Sequence, residues 1–478
     1  MLRIILTALT ITRAGDGLPV KAPTDVGMSG NRLDAIERVV TRGIRAGGYP
    51  GASVVVGRKG AAVLSKGFGK LSWNPASTAV DPQRTIYDVA SLTKVVGTTT
   101  AIMILFDEKK IDLDANIVSY LPTFGGGSRD QVTIRQLLTH TSGLPAGRDI
   151  WRIARNPLEA RAAIVATELD NRPGTRYVYS DLGADLLGLL VEVVAGEPLD
   201  KFLQNRVFGP LGMTDTYYRP ADSVRDRVAP TEVTPPRGYP LRGEVHDENA
   251  YAMGGVAGHA GLFSTASDLS VFAQMMLNGG EYNGVHIVSK PTVELFTSRA
   301  VGHRALGWDT AEGILGAGRY LGPGAYGHTG FTGTSMWIDP EREMFVILLT
   351  NRVHAARALR PSKVIADVRA DLSDAAVLSV IEGPSVIASN PRAFRSDREV
   401  GWNPPPARTV KRRSGSSRHR TIATASKRSK ASASKRARAK ASAAKGKASS
   451  KAKSSKKKPA AKAKAPVKRT TSKKPASS

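Results

Sequence analysis

Ser91-Leu92-Thr93-Lys94 opens the apolar stretch Val95 to Phe106. If Ser91 begins a helix there, Lys94 lies about one turn along on the same face. The helix N-terminus favours negative charge developing at the serine oxygen. Burial lowers a lysine pKa, so the amine of Lys94 can be neutral and accept the serine proton. Taken alone, the four residues read more plainly as a surface serine capping a helix beside a solvated lysine.

Working outward, the apolar positions Leu33, Ile36, Val39, Val40 and Ile44 predict a helix that begins at Ser29 and ends at Gly47-Gly48. Ser53-Val54-Val55-Val56 and Ala61-Ala62-Val63-Leu64, around Gly57-Arg58-Lys59-Gly60, predict a hairpin. The stretch to about Gly280 is expected to be mostly helical with many loops. Strands return at Thr334 to Ile338 and Met344 to Thr350, joined by Asp339-Pro340-Glu341-Arg342, and a last helix is expected over Ser362 to Ile381. Strands at both ends with helices between predict an α+β fold: an antiparallel sheet flanked by helices, with an inserted, mostly helical domain and a site in the cleft between them.

Two further strings carry chemistry. Tyr179-Ser180-Asp181 follows the turn signal Arg172-Pro173-Gly174-Thr175 and precedes the apolar run Leu182 to Val194. A tyrosine at such a loop–helix junction can project its phenol into a cleft and, beside a cationic lysine, pass a proton to or from a leaving group. A packed core tyrosine is the plainer reading, and Tyr177 competes for the role. His328-Thr329-Gly330 is expected at the start of a strand. There Gly330 would let a substrate backbone approach closely and Thr329 would offer a hydroxyl. The Phe331 amide would pair with that of Ser91 as an oxyanion hole.

The formal net charge of +28 is not spread along the chain. From Gly401 onward there are 26 basic and no acidic residues, leaving 43 basic against 41 acidic in the first 400. Trp402-Asn403-Pro404-Pro405-Pro406 reads as part of a linker over 387–410, and 411–478 as a disordered Lys/Ala/Ser/Pro tail. Such a tail binds polyanions, DNA or anionic envelope polymers, with steep salt dependence; it lacks the interleaved aromatics that base stacking needs. The absence of cysteine excludes disulfides and thiolate chemistry. No apolar run reaches the roughly 18 residues of a membrane span. Residues 1–27 form an N-terminal segment in which Ile4 to Ile11, behind Arg3, resembles a minimal export signal.

In order, spacing and context the three strings resemble those of the serine β-lactamase and penicillin-binding-protein superfamily, on its class C β-lactamase, DD-peptidase and esterase side. Leu137-Leu138-Thr139-His140-Thr141-Ser142-Gly143-Leu144, Gly209-Pro210-Leu211-Gly212-Met213 and Gly258-His259-Ala260-Gly261-Leu262-Phe263-Ser264 support it, and the likeness covers roughly residues 28 to 382. The resemblance implies a β-lactamase/transpeptidase-like domain over 28–386. Ser91 would be the nucleophile, Lys94 its base partner and Tyr179 the second acid/base. Asp181, His328, Thr329, Gly330 and Phe331 would be substrate-binding, with no cofactor or metal. Two positions depart from the pattern. Asp181 stands where the family more often has asparagine, and His328 where class C lactamases carry lysine, which makes lactamase activity less expected.

The remaining strings admit plain readings. His246-Asp247-Glu248-Asn249 reads as a loop hydrogen-bond cluster rather than a metal site, His259 as a packing residue rather than a cleft liner, and Arg352 as a solvated residue rather than a carboxylate binder. The function expected is a serine hydrolase working through an acyl-enzyme on Ser91, on D-amino-acid-terminated peptides or small esters, at the cell envelope. The alternative is a polyanion-binding protein whose hydrolase body is a scaffold, with a cytoplasmic location also open.

Overall fold

Met344–Thr350, the strand β11, is buried at every position. An antiparallel strand with one wet face would alternate with polar residues, so this continuous apolar run requires cover on both faces of its sheet. In the computed structural model, which describes residues 17–312, 316–354, 361–383, 386–387, 391 and 393–402, both faces are covered. Met344, Val346 and Leu348 pack with Ala52, Val54 and Val56 and with the helices Gly30–Arg45 and Ser362–Leu378. Phe345, Ile347 and Leu349 face the opposite core, which the inserted helices fill.

The sheet has six strands, all neighbours antiparallel, in the order β2-β1-β11-β10-β9-β8. β1 is Gly51–Arg58 and β2 is Ala61–Gly69. Lys59 and Gly60 between them both have positive φ, 49° and 79°, as a tight hairpin turn demands. β8 is Asp309–Thr310, β9 is Tyr326–Thr329 and β10 is Ser335–Asp339. Val54 pairs with Leu348 and Met336 with His328. The predicted helices are found at Gly30–Arg45 and Ser362–Leu378, the second ending three residues before the expected Ile381.

The insert between β2 and β8 is mostly helical, as expected, but also holds a small sheet that periodicity did not reveal. Its strands are β3 (Tyr87–Asp88), β4 (Tyr217–Tyr218) and β5 (Leu262–Ser264), in the order β3-β5-β4. Strands of two or three residues are too short to show an alternation. A two-stranded hairpin, β6 (Glu281–Tyr282) and β7 (Val285–His286), completes the strands of the described residues.

The packed body also extends beyond 28–386. Leu18 is buried, and Val20 bridges to Ala62 on the edge strand. At the other end a short helix, Arg395–Arg398, and the buried Trp402 lie within the segment read as a linker. Trp402 donates its indole N–H to Asp367 at 2.8 Å, and Arg395 reaches Asp371 and Asp374 at 2.9 and 2.7 Å. The residues that read as a stiff spacer are thus anchored on the helix Ser362–Leu378. The export-like residues Ile4 to Ile11 and the tail 411–478 lie outside the described residues. No helix among the described residues is long and apolar enough to cross a membrane.

Candidate active site

β3 delivers the chain to Ser91, and the residue before it is forced into an unusual conformation. Ala90 has φ 50°, a left-handed geometry that costs a residue with a Cβ about 1 kcal/mol. The surroundings hold it there. Asp88 accepts the Ala90 N–H at 2.8 Å, while Thr332 and Thr334 donate their hydroxyls to the carbonyls of Asp88 and Val89 at 2.8 and 2.9 Å. The turn after β9 is thus stitched to the approach to Ser91. Gly330 makes the contact possible: a Cβ there would lie 2.1 Å from Thr334 Oγ1 and 2.5 Å from the Val89 carbonyl. The expectation that Gly330 makes room for substrate is corrected, since the place of its missing side chain is taken up by the Thr334 hydroxyl and the Val89 carbonyl.

Lys94 opens a π-helical stretch, Lys94–Thr99, that continues into the helix Thr100–Asp107. Its side chain is 4 % exposed. Its ammonium donates to Ser91 Oγ and to the His259 carbonyl, each at 3.0 Å, and forms an ion pair with Asp181 Oδ1 at 2.8 Å. Burial alone does not set the charge of this amine. Burial does push the ammonium toward neutrality, but the Asp181 carboxylate and the Tyr179 phenol outweigh it and hold Lys94 above its usual range. A carboxylate 87 positions along the chain decides the charge, which the local string cannot show.

Asp181 begins the helix Asp181–Ala195, whose N-cap Ser180 accepts the Gly183 N–H at 3.2 Å. Tyr179 sits just before that cap, with Lys94 Nζ 5.0 Å from its ring centroid. Two imidazoles flank the ring, His140 at 4.6 Å and His328 at 5.9 Å. Both are uncharged at neutral pH because burial, aided by the Arg304 and Lys94 cations, opposes protonation: His140 is pushed well down and His328 to about 4. Tyr177 points elsewhere, onto His303 at 5.2 Å, so of the two phenols it is Tyr179 that lies beside Lys94.

A cavity of about 340 Å³ lies over Ser91, and its walls include Tyr179, Asp181, Asp247, His259 and Phe331. His328, Thr329 and Gly330 are not among its lining residues. His328 stands at the end of β9, not at the start of a strand. It is 2 % exposed, donates Nδ1–H to the Thr329 carbonyl at 2.8 Å and turns Nε2 toward Asp309 at 3.9 Å. Arg352 is half-buried: its Nε donates to the Phe331 carbonyl at 2.9 Å and its guanidinium lies 4.9 Å over the Phe331 ring.

The His246 to Asn249 string is a hydrogen-bond cluster on the cavity wall. Asp247 caps the helix Glu248–Ala252 through the Ala250 N–H at 2.9 Å, His246 meets Glu232 at 2.9 Å, Thr234 donates to Glu248 at 3.0 Å, and Asn249 donates to the Arg148 carbonyl at 2.8 Å. His259, read as packing in preference to lining the cleft, does both: it is buried and a cavity liner, held between Asp185 and Asp247 at 2.7 and 2.9 Å. Asp185 was not singled out by the sequence. The available signal was its i+4 spacing from Asp181, which puts both carboxylates on one helix face.

The Beta-lactamase family model matches residues 36–370. An Escherichia coli (strain K12) protein named "Putative D-alanyl-D-alanine carboxypeptidase" is 32 % identical over 395 residues, which cover 74 % of this chain and 91 % of that one. A Bacillus subtilis (strain 168) protein named "N-acetylmuramyl-L-alanine amidase" is 33 % identical over 371 residues, covering 68 % and 82 %. Among solved structures, one titled "A class C beta-lactamase" superposes with a TM-score of 0.60 at 20 % identity, covering 74 % of this chain and 97 % of that one, a likeness of fold. With the fold and these relatives in agreement, the chain belongs to the Beta-lactamase family and is a serine hydrolase.

Proposed function

We propose that Ser91 forms a covalent ester with the acyl group of a peptide ending in a D-amino acid, which water then hydrolyses. The observation that carries this reading is the buried Lys94 ammonium, 3.0 Å from Ser91 Oγ at the floor of the cavity. In the first step Ser91 Oγ attacks the acyl carbon and its proton passes into the Lys94–Tyr179 pair. Because Asp181 holds Lys94 as a cation with no lone pair to offer, Tyr179 must enter the step as its phenolate, which takes up this proton to become the phenol and returns it to the leaving group. The Lys94 charge stabilises that phenolate before it takes the proton and again after it gives the proton up. The amides of Ser91 and Phe331 are assigned to the carbonyl oxygen. Water repeats the sequence with the ester as acceptor.

The D-amino-acid substrate rests on the E. coli relative, whose name states a D-alanyl-D-alanine carboxypeptidase and whose length the chain covers almost fully. The B. subtilis relative is named an N-acetylmuramyl-L-alanine amidase, and both names support action at the cell envelope. Small esters remain the second substrate class, because an uncharged His328 offers a substrate carboxylate no cation where class C lactamases carry lysine. The tail 411–478 is assigned to polyanion binding on its composition alone.

The test is intact-mass analysis during incubation with benzylpenicillin and, separately, with a peptide ending in D-Ala-D-Ala, with Ser91→Ala as control. A Ser91-dependent penicilloyl adduct with release of D-alanine from the peptide is expected. A protein that forms no adduct and releases no D-alanine, yet cleaves p-nitrophenyl esters through Ser91, moves the assignment to esters. If Ser91→Ala matches the wild type on every substrate, the covalent mechanism fails.

A further inference from the structure

His259 is 2 % exposed and both of its ring nitrogens face carboxylates: Nδ1 lies 2.7 Å from Asp185 Oδ1 and Nε2 lies 2.9 Å from Asp247 Oδ1. A neutral imidazole has a single N–H, so it would press a lone pair against one of these oxygens; only the imidazolium satisfies both contacts. Burial opposes that charge, but the two carboxylates outweigh it and raise the His259 pKa well above its usual value. A buried cation held this way is costly to build, and its packing environment alone does not call for one.

What the clamp holds in place is the backbone. Asp185 Oδ1 also accepts the N–H groups of Gly258 and His259, at 3.0 and 3.2 Å, and Thr98 donates its hydroxyl to the Gly258 carbonyl at 2.7 Å. The loop is pressed so closely to the helix Asp181–Ala195 that a Cβ on Gly258 would lie 2.0 Å from the Ala184 carbonyl. The His259 carbonyl thereby points at Lys94 Nζ, 3.0 Å away. Two partners of the ammonium, Asp181 and the His259 carbonyl, therefore share a support: Asp181 and Asp185 are one turn apart on a single helix, and His259 is bolted to the second of them. Asp247 ties the same ring to the N-cap of the helix that walls the cavity.

We propose that His259 is a positioning residue of this hydrolase: its ring, clamped between Asp185 and Asp247, aims its own carbonyl at Lys94 and so fixes the ammonium on Ser91. The inference rests on Ser91 being the nucleophile. It makes Gly258-His259-Ala260-Gly261 a part of the machinery that never touches substrate through the imidazole nitrogens, since both are occupied.

The test uses the full chain with p-nitrophenyl acetate, whose reactivity does not depend on the natural substrate. Ser91→Ala is measured first; turnover equal to wild type sinks the hydrolase reading itself. With Ser91-dependent turnover in hand, His259→Gln is expected to lower kcat about 100-fold with KM within about twofold, as a displaced catalytic group does. Adding Asp247→Asn to His259→Gln removes the stranded carboxylate and is expected to recover about tenfold. A kcat within twofold of wild type in His259→Gln overturns the proposal. So does a loss of kcat that merely follows the folded fraction seen by circular dichroism, or one carried by KM. Should His259→Gln not fold, Asp247→Asn alone decides: the ring then keeps one carboxylate, and an unchanged kcat overturns the proposal.

Discussion

Lys94 is held protonated chiefly by Asp181, with Tyr179 in support, so a single substitution adjusts its charge. In Asp181→Asn the carboxylate is gone while burial, which opposes the ammonium, remains. The lysine pKa must then fall, and a rate that needs the Lys94 cation is expected to decline as pH rises through the lowered value. The wild type should show no such alkaline limb below about pH 10; pH–kcat profiles of the two proteins check this, and superimposable profiles would refute it. His328 titrates in the opposite sense. Its folded pKa of about 4 lies below the roughly 6.5 of an unfolded histidine, so between these values the unfolded chain binds more protons. Stability should therefore fall as pH drops from 6.5 toward 4, by about 3 kcal/mol from this residue. His140 adds to the trend, whereas His259, raised, contributes stability that persists below 6.5 and is lost only as pH rises through its folded value. Urea unfolding at pH 7 and 4.5 should show a smaller difference in His328→Gln than in wild type. None of these charges was legible in the sequence, where Ser91, Lys94, Tyr179 and Asp181 stood out as residue types and the fields acting on them did not.

At the scale of elements, the site depends on a seam between the β9–β10 turn and the segment from β3 to Ser91. Three contacts make it: the hydroxyls of Thr332 and Thr334 on the carbonyls of Asp88 and Val89, and the close approach at Gly330. Gly330→Ala must push these backbones apart, at about 1–3 kcal/mol of stability, the usual range for overpacking. Because Ala90 is held in a strained conformation by the same seam, kcat should fall more than KM changes. Thermal melts with steady-state kinetics test both; a variant with wild-type kcat would show that the seam does not position Ser91. The glycine's importance could be seen in the sequence, but its reason could not. A His-Thr-Gly string suggests room for a ligand, and only the tertiary structure shows that the Thr334 hydroxyl and the Val89 carbonyl fill it.

At the scale of the molecule, the body and the tail make separable predictions. A chain ending at Trp402 retains every described core residue and should hydrolyse at the wild-type rate within about twofold. It should lose retention on a DNA or heparin column that the full chain shows at low salt, as expected for counterion release. Equal retention of both proteins would remove polyanion binding from the tail. Trp402→Ala tests where the body ends: it empties a buried site and strands Asp367, so a loss of about 3 kcal/mol in urea unfolding is expected. The sequence by itself determined whatever depends on neighbours a few positions away. The helix Gly30–Arg45 follows from apolar spacing, the β1–β2 hairpin from a glycine turn, the β10–β11 pair from two apolar runs around Asp339-Pro340, and the charge asymmetry of the chain from counting. It also determined the family, because three short strings in one order are far more specific together than any one alone. Only the tertiary structure decided that Lys94 is a cation, that His259 is clamped between Asp185 and Asp247, that a hydroxyl and a carbonyl fill the space at Gly330, and that Trp402 belongs to the core. Each of these depends on groups separated by tens to hundreds of residues, and electrostatic and packing free energies are set by distance in space, to which local periodicity is blind.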